Sequence, residues 1–105
     1  MHYSEDFLKK IVGVGSLGYS VQKIINVLDV ADQDIDQFTK DFFDESSLIR
    51  KNYNKGMDIA DYAIDQKLFE KAKAGDLKAL EEYQKRRDSE QAKMKQHRKP
   101  SVKLF

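Results

Sequence analysis

The sequence predicts an all-α chain: an N-terminal three-helix unit of helix-turn-helix form, then a hairpin built on a long helix, then a basic tail. Three observations carry this. The 105 residues contain one proline and five glycines, and 35% of them are charged, which suits charge-laced amphipathic helices better than a two-sided sheet core. Apolar residues recur at steps of three and four, and no segment alternates with the period of a strand. Gly75-Asp76 then joins a left-handed helix stop to a good helix cap, so that the chain turns back within two residues.

In order, Ser4 is the expected cap of a first helix, with Glu5 and Asp6 in its first turn and Phe7, Leu8, Ile11 and Val12 on its apolar face. Gly13 and Gly15 blur its end, and Gly18 is the firm stop. Ser20 caps a second helix with Val21, Ile24, Ile25 and Leu28 as its stripe, and Asp29-Val30-Ala31 follows as a turn. A third helix is expected from Asp32 to Phe43, with Ile35, Phe38 and Phe42 inward. Either Ser46 or Ser47 caps a fourth helix, whose Ile49, Tyr53, Met57, Ala60, Ile64 and Leu68 form one continuous stripe up to Ala74 over ~40 Å. Leu77, Leu80 and Tyr83 give the fifth helix a face to lay against Leu68, Phe69 and Ala72. Residues 85–99 have only Ala92 and Met94 as apolar residues and read as a solvated helical extension or as disorder, with Pro100 ending any helix. The expected divisions are 1–45, 46–84 and 85–105.

A net charge of +1 hides an asymmetry. Residues 1–84 carry 11 Lys/Arg against 16 Asp/Glu, and residues 85–105 carry 8 against 2. A basic tail on an acidic body reaches toward nucleic acid, an acidic partner or the body itself. The absence of cysteine removes disulfides, thiolate chemistry and Cys-type zinc sites, and fits an intracellular setting. No apolar run approaches a membrane span and no leader pattern opens the chain, so a soluble, unprocessed protein is expected.

Two motifs fail on context. Gly13-Val14-Gly15-Ser16-Leu17-Gly18 matches a dinucleotide-binding loop, but such a loop needs a strand before it and a βαβ unit around it. Asp32, Asp34 and Asp36 match the start of a calcium loop, which then needs Gly and Glu where the chain has Gln37 and Phe43. His2 and His97 lie near opposite ends, and no carboxylate pair is singled out by a buried context, so neither catalysis nor a metal or cofactor is expected. The aromatic residues at helical spacing read as core.

What remains is the helix-turn-helix spacing of Ile24, Ile25, Leu28, Asp29, Val30, Ile35 and Phe38. Asp29 stands where glycine is commonest, and Asp tolerates that backbone better than most residues. On the third helix, Gln33 and Gln37 suit adenine edges and Lys40 suits a phosphate, although Asp34, Asp36 and Asp41 on the same helix repel DNA.

The run from Leu17 to Val30, then Phe38 to Phe43, Tyr53-Asn54-Lys55-Gly56, and Ile64 through Ala74-Gly75-Asp76 to Leu80, resembles the small terminase subunits and related helix-turn-helix proteins of tailed phages. The resemblance covers about residues 5–84. It implies a non-catalytic, oligomeric protein in the cytoplasm of a bacterial host that recognises double-stranded viral DNA and delivers it to a large ATPase-nuclease subunit. By position it implies DNA contacts from Ser20, Gln22, Lys23, Gln33, Gln37 and Lys40. Through the fourth and fifth helices it implies a homo-oligomer contact at Ile49, Tyr53, Met57, Ile64, Leu68, Leu77 and Leu80. In the tail, Lys85, Arg86, Arg87, Lys93, Lys95, Arg98, Lys99 and Lys103 are placed to track phosphates, and Val102, Leu104 and Phe105 to dock on the motor; a tail that only keeps the chain soluble is the alternative. Two other readings stay open: a helical protein-interaction adaptor and a small helix-turn-helix transcription regulator.

Overall fold

Ser4 and Ser20 each turn a side-chain oxygen onto a backbone N–H three residues on, of Phe7 at 3.1 Å and Lys23 at 3.3 Å, and so start the first two helices where the sequence places them. The computed structural model describes residues 2–102, and side chains only as far as residue 95. Its helices are α1 (Glu5–Ser16), α2 (Val21–Val27), α3 (Ile35–Phe42), α4 (Leu48–Lys73) and α5 (Leu77–Val102), with a 3₁₀ turn at Asp32–Asp34. No strand occurs among the described residues. The fold is all-α, as the sequence predicts.

The chain divides into two compact units, Met1–Tyr62 and Ala63–Phe105. The division expected after residue 45 does not coincide with this, because the first half of α4 completes the first core. That core holds Ile11 and Val14 of α1, Ile24 and Ile25 of α2, Phe38 and Phe42 of α3, and Ile49 and Tyr53 of α4. Phe38, wholly buried, makes T-shaped contacts with Tyr3 and Phe7 at centroid distances of 6.5 and 6.0 Å. The Tyr53 hydroxyl donates to the Tyr19 carbonyl at 2.7 Å, so the one polar atom of this ring is satisfied.

Gly15 does not fray α1. It is buried inside the helix, and a Cβ there would collide with the backbone carbonyl of Tyr53 on α4. Gly56 is the reciprocal position, where a Cβ would collide with the carbonyl of Val12 and come within 2.8 Å of the Ser16 nitrogen. The two helices therefore cross backbone to backbone at a glycine pair. Of the three glycines in the apparent dinucleotide motif, Gly15 is thus a packing notch, Gly18 at φ 69° is a helix stop, and Gly13 has open space around it.

Two further expectations are corrected and one open alternative is resolved. The third helix begins as a 3₁₀ turn, and its α-helical part runs only from Ile35 to Phe42. Of the two candidate caps for α4, Ser47 serves: its hydroxyl accepts from the Arg50 N–H at 3.0 Å and donates to the Asp41 carbonyl. Ser46 instead gives both its N–H and its hydroxyl to Asp44, at 2.9 and 2.7 Å. And α5 continues past Pro100 to Val102, with residues 87 to 95 all exposed.

In the second unit, Gly75 at φ 100° and the bond from the Asp76 N–H to the Lys71 carbonyl end α4, and Asp76 caps α5 through the Ala79 N–H at 3.0 Å. The face of α5 turned inward is not Leu77–Leu80–Tyr83. Ala79 is buried, Tyr83 meets Phe69 at 5.4 Å between ring centroids, and the Arg86 Nε meets Asp65 Oδ1 at 2.5 Å, whereas Leu77 is 73% exposed. Steps of four and three from Ala79 place these three residues on one helix face.

Candidate nucleic-acid interface

The connection between α2 and α3 runs from Leu28 to Asp34 and ends in the 3₁₀ turn. Asp29 adopts φ 52°, the only left-handed residue other than glycine among those described, and the Val30 N–H bonds back to the Ile25 carbonyl at 3.0 Å. Leu28, Val30 and Ile35 pack on the core, which fixes the angle at which α3 leaves. Every position expected to face DNA from this unit is exposed: Ser20, Gln22, Lys23, Gln33, Gln37 and Lys40.

Several of these side chains are already engaged. The Ser20 hydroxyl caps its helix, the Lys23 ammonium lies 4.1 Å from the centre of the Tyr19 ring, and the Gln22 amide donates to Asn26 Oδ1 at 3.4 Å. Gln37 donates to Asp41 Oδ1 at 2.9 Å, while the Tyr3 hydroxyl donates to the other oxygen of the same carboxylate at 2.5 Å. Burial, this hydrogen bond and the charge of Asp41 raise the Tyr3 hydroxyl well above its ordinary value. Sequence reasoning missed Tyr3. Its only signal is an aromatic residue immediately before the Ser4 cap, a position that folds back on the helix it precedes.

The electrostatics of this face are unfavourable to phosphate. From Asp29 to Glu45 the chain carries seven carboxylates and the single cation Lys40. Asp44 is held below the usual carboxylate range, first by the Ser46 hydroxyl and then by its backbone N–H.

On α5, Lys85 and Arg87 are exposed, as are Lys93 and Lys95. Arg86 is not available in the same way, because it is half-buried and paired with Asp65 inside the hairpin. The side chains of Arg98, Lys99 and Val102, and residues 103–105 with Lys103, Leu104 and Phe105, lie outside those described.

The expected oligomer contact divides. Ile49 and Tyr53 face the core of their own unit and are 0% and 6% exposed, so they have no surface to offer a second copy, and Met57 packs partly against the same core. Leu68 is half-buried, whereas Ile64, Leu77 and Leu80 remain on the surface. The sequence periodicity marks residues that face inward but does not say whether the partner is intramolecular.

Among the described residues no group of three or more His, Asp or Glu is placed to hold a metal ion, and no helix is long and apolar enough to cross a membrane. No family model, curated protein or solved structure matches the chain.

Proposed function

We propose that the chain is a non-catalytic DNA-recognition subunit of the small-terminase kind, which acts as an oligomer and passes viral DNA to a large ATPase-nuclease subunit. The observation that carries this reading is the left-handed Asp29 turn, which sets α3 against α2 with Gln33, Gln37 and Lys40 outward. The exposed cations of α5, Lys85, Arg87, Lys93 and Lys95, supply phosphate attraction that α3 lacks. Titration of duplex DNA with the whole chain should show binding that weakens roughly tenfold between about 50 and 200 mM salt if about two phosphates are contacted. Absence of binding at the lower salt would end this reading.

A second reading, a protein-interaction adaptor, is favoured by the seven carboxylates between Asp29 and Glu45. The pair Asp34→Lys with Asp36→Lys separates the two. A DNA reader binds duplex more tightly once that repulsion is removed, while an adaptor loses its protein partner with no gain for DNA.

A further inference from the structure

Beside the helix-turn-helix turn lies a groove of about 400 Å³, open to solvent. Its apolar lining comes from Tyr3, Phe7, Leu28 and Val30, and its carboxylates are Asp29 and Asp34. No lysine or arginine lines it, and His2 is its one basic side chain, against two carboxylates. Tyr3 turns its hydroxyl to Asp41 and stacks its ring on Phe7 at 5.6 Å, so the aromatic part of the wall is held in place. Asp29 is fixed by its left-handed backbone at the mouth of the turn, and neither carboxylate takes part in an ion pair.

An apolar groove with two unpaired carboxylates favours an occupant that combines a hydrocarbon surface with positive charge. It rejects phosphate backbones and anionic lipid surfaces for the same electrostatic reason. Lysine and arginine side chains meet this description, since an apolar stem carries a cationic head, and an adjacent aliphatic residue adds contact with Leu28 and Val30. We propose that this groove docks a basic, aliphatic-containing peptide segment of a partner protein. Its cations lie at Asp29 and Asp34, and its apolar side chains lie on Tyr3, Phe7, Leu28 and Val30. The inference does not rest on DNA binding, because it uses the acidic side of the turn and leaves Gln33, Gln37 and Lys40 free of the groove.

The test is fluorescence anisotropy of the whole chain, at low salt, with a labelled octapeptide of alternating lysine and leucine. Binding is expected to weaken about tenfold in the double variant D29N/D34N. Asparagine tolerates the left-handed turn, so the variant's helical circular dichroism should be unchanged. The control pair E81Q/E82Q, on exposed α5 residues, should bind as the parent does. The proposal is overturned if the peptide does not bind, if D29N/D34N binds as well as the parent, if E81Q/E82Q weakens binding equally, or if a glutamate-leucine peptide binds equally. Duplex titration is a separate measurement, so failure of the peptide arm leaves the DNA reading standing, and the reverse also holds.

Discussion

The two units are held by different means. Met1–Tyr62 closes four helices on a shared set of buried side chains, with Ile11, Ile24, Phe38 and Ile49 wholly out of solvent. Ala63–Phe105 is an antiparallel helix pair whose interior is Ala79, the Phe69–Tyr83 contact and the Asp65–Arg86 pair. In the first unit the buried residues come from all four helices. In the second, a few contacts near the turn hold two helices, and the rest of α5 continues with exposed side chains as far as residue 95. Burial of apolar area at ~25 cal/mol per Å² therefore stabilises the first unit far more than the second, which depends on helix propensity, its caps and the Asp65–Arg86 pair between its helices.

The largest expected effect that would break this contrast is Phe38→Ala. It should cost about 3–5 kcal/mol in denaturant unfolding, because a wholly buried aromatic ring is replaced by a cavity. Tyr83→Ala, the corresponding change in the hairpin, should lower global stability by roughly 1 kcal/mol or less, since the ring is only half-buried. If the two losses were equal, the hairpin would have an interior comparable to the first core.

Next in size is the glycine crossing. Gly56→Ala should destabilise by about 1–3 kcal/mol, because the added carbon meets backbone that cannot rotate away. Gly13→Ala has open space around it and should stabilise by up to ~1 kcal/mol through helix propensity. Thermal unfolding of the two variants gives the signs directly, and opposite signs are the expected result.

Hydrogen exchange should then separate the units. Amides of α5 beyond Arg86 should exchange on a scale set by local helix opening, while those around Ile11, Ile24 and Phe38 should require global unfolding. Uniform protection would show that the second unit opens only together with the first.

The smallest effect is on pH dependence. Tyr3 is harder to ionise in the fold than in the unfolded chain, so its contribution is fully present below about pH 10 and is lost as the pH rises beyond that value. Tyr3→Phe should therefore flatten part of the alkaline fall in melting temperature while removing the bond to Asp41. Asp44 works in the opposite direction: its contribution is present above its unfolded value and disappears as the pH falls through the lowered one, so Asp44→Asn should remove a small part of the acid sensitivity.

Local chemistry was readable in the sequence. The Ser4 and Ser20 caps, the Gly18 and Gly75 stops, the Asp76 cap and the unusual backbone at Asp29 each depend on a residue and its immediate neighbours. Tertiary facts were less so. The stripe Ile49–Tyr53–Met57 says that one face of α4 is buried, but whether α1 and α3 or a second chain covers it depends on geometry that periodicity does not hold. Leu77 and Leu80 have the better hydropathy, but the residue that is buried is the small Ala79. In the candidate site, the exposure of Gln33, Gln37 and Lys40 followed from helical spacing, whereas the tie from Tyr3 to Asp41 joins residues 38 positions apart and no local pattern marks it.

The crossing at Gly15 and Gly56 also constrains how this chain can change over generations. Each glycine is required only because the opposite backbone is close, and once one position carries a side chain the helices must separate and the other is released from the requirement. The two positions thus behave as a single inherited character, so glycine should be kept at both or given up at both in chains descended from the same ancestor. A descendant in which the string around Gly13 and Gly15 is intact but position 56 is large should have a different angle between its first and fourth helices.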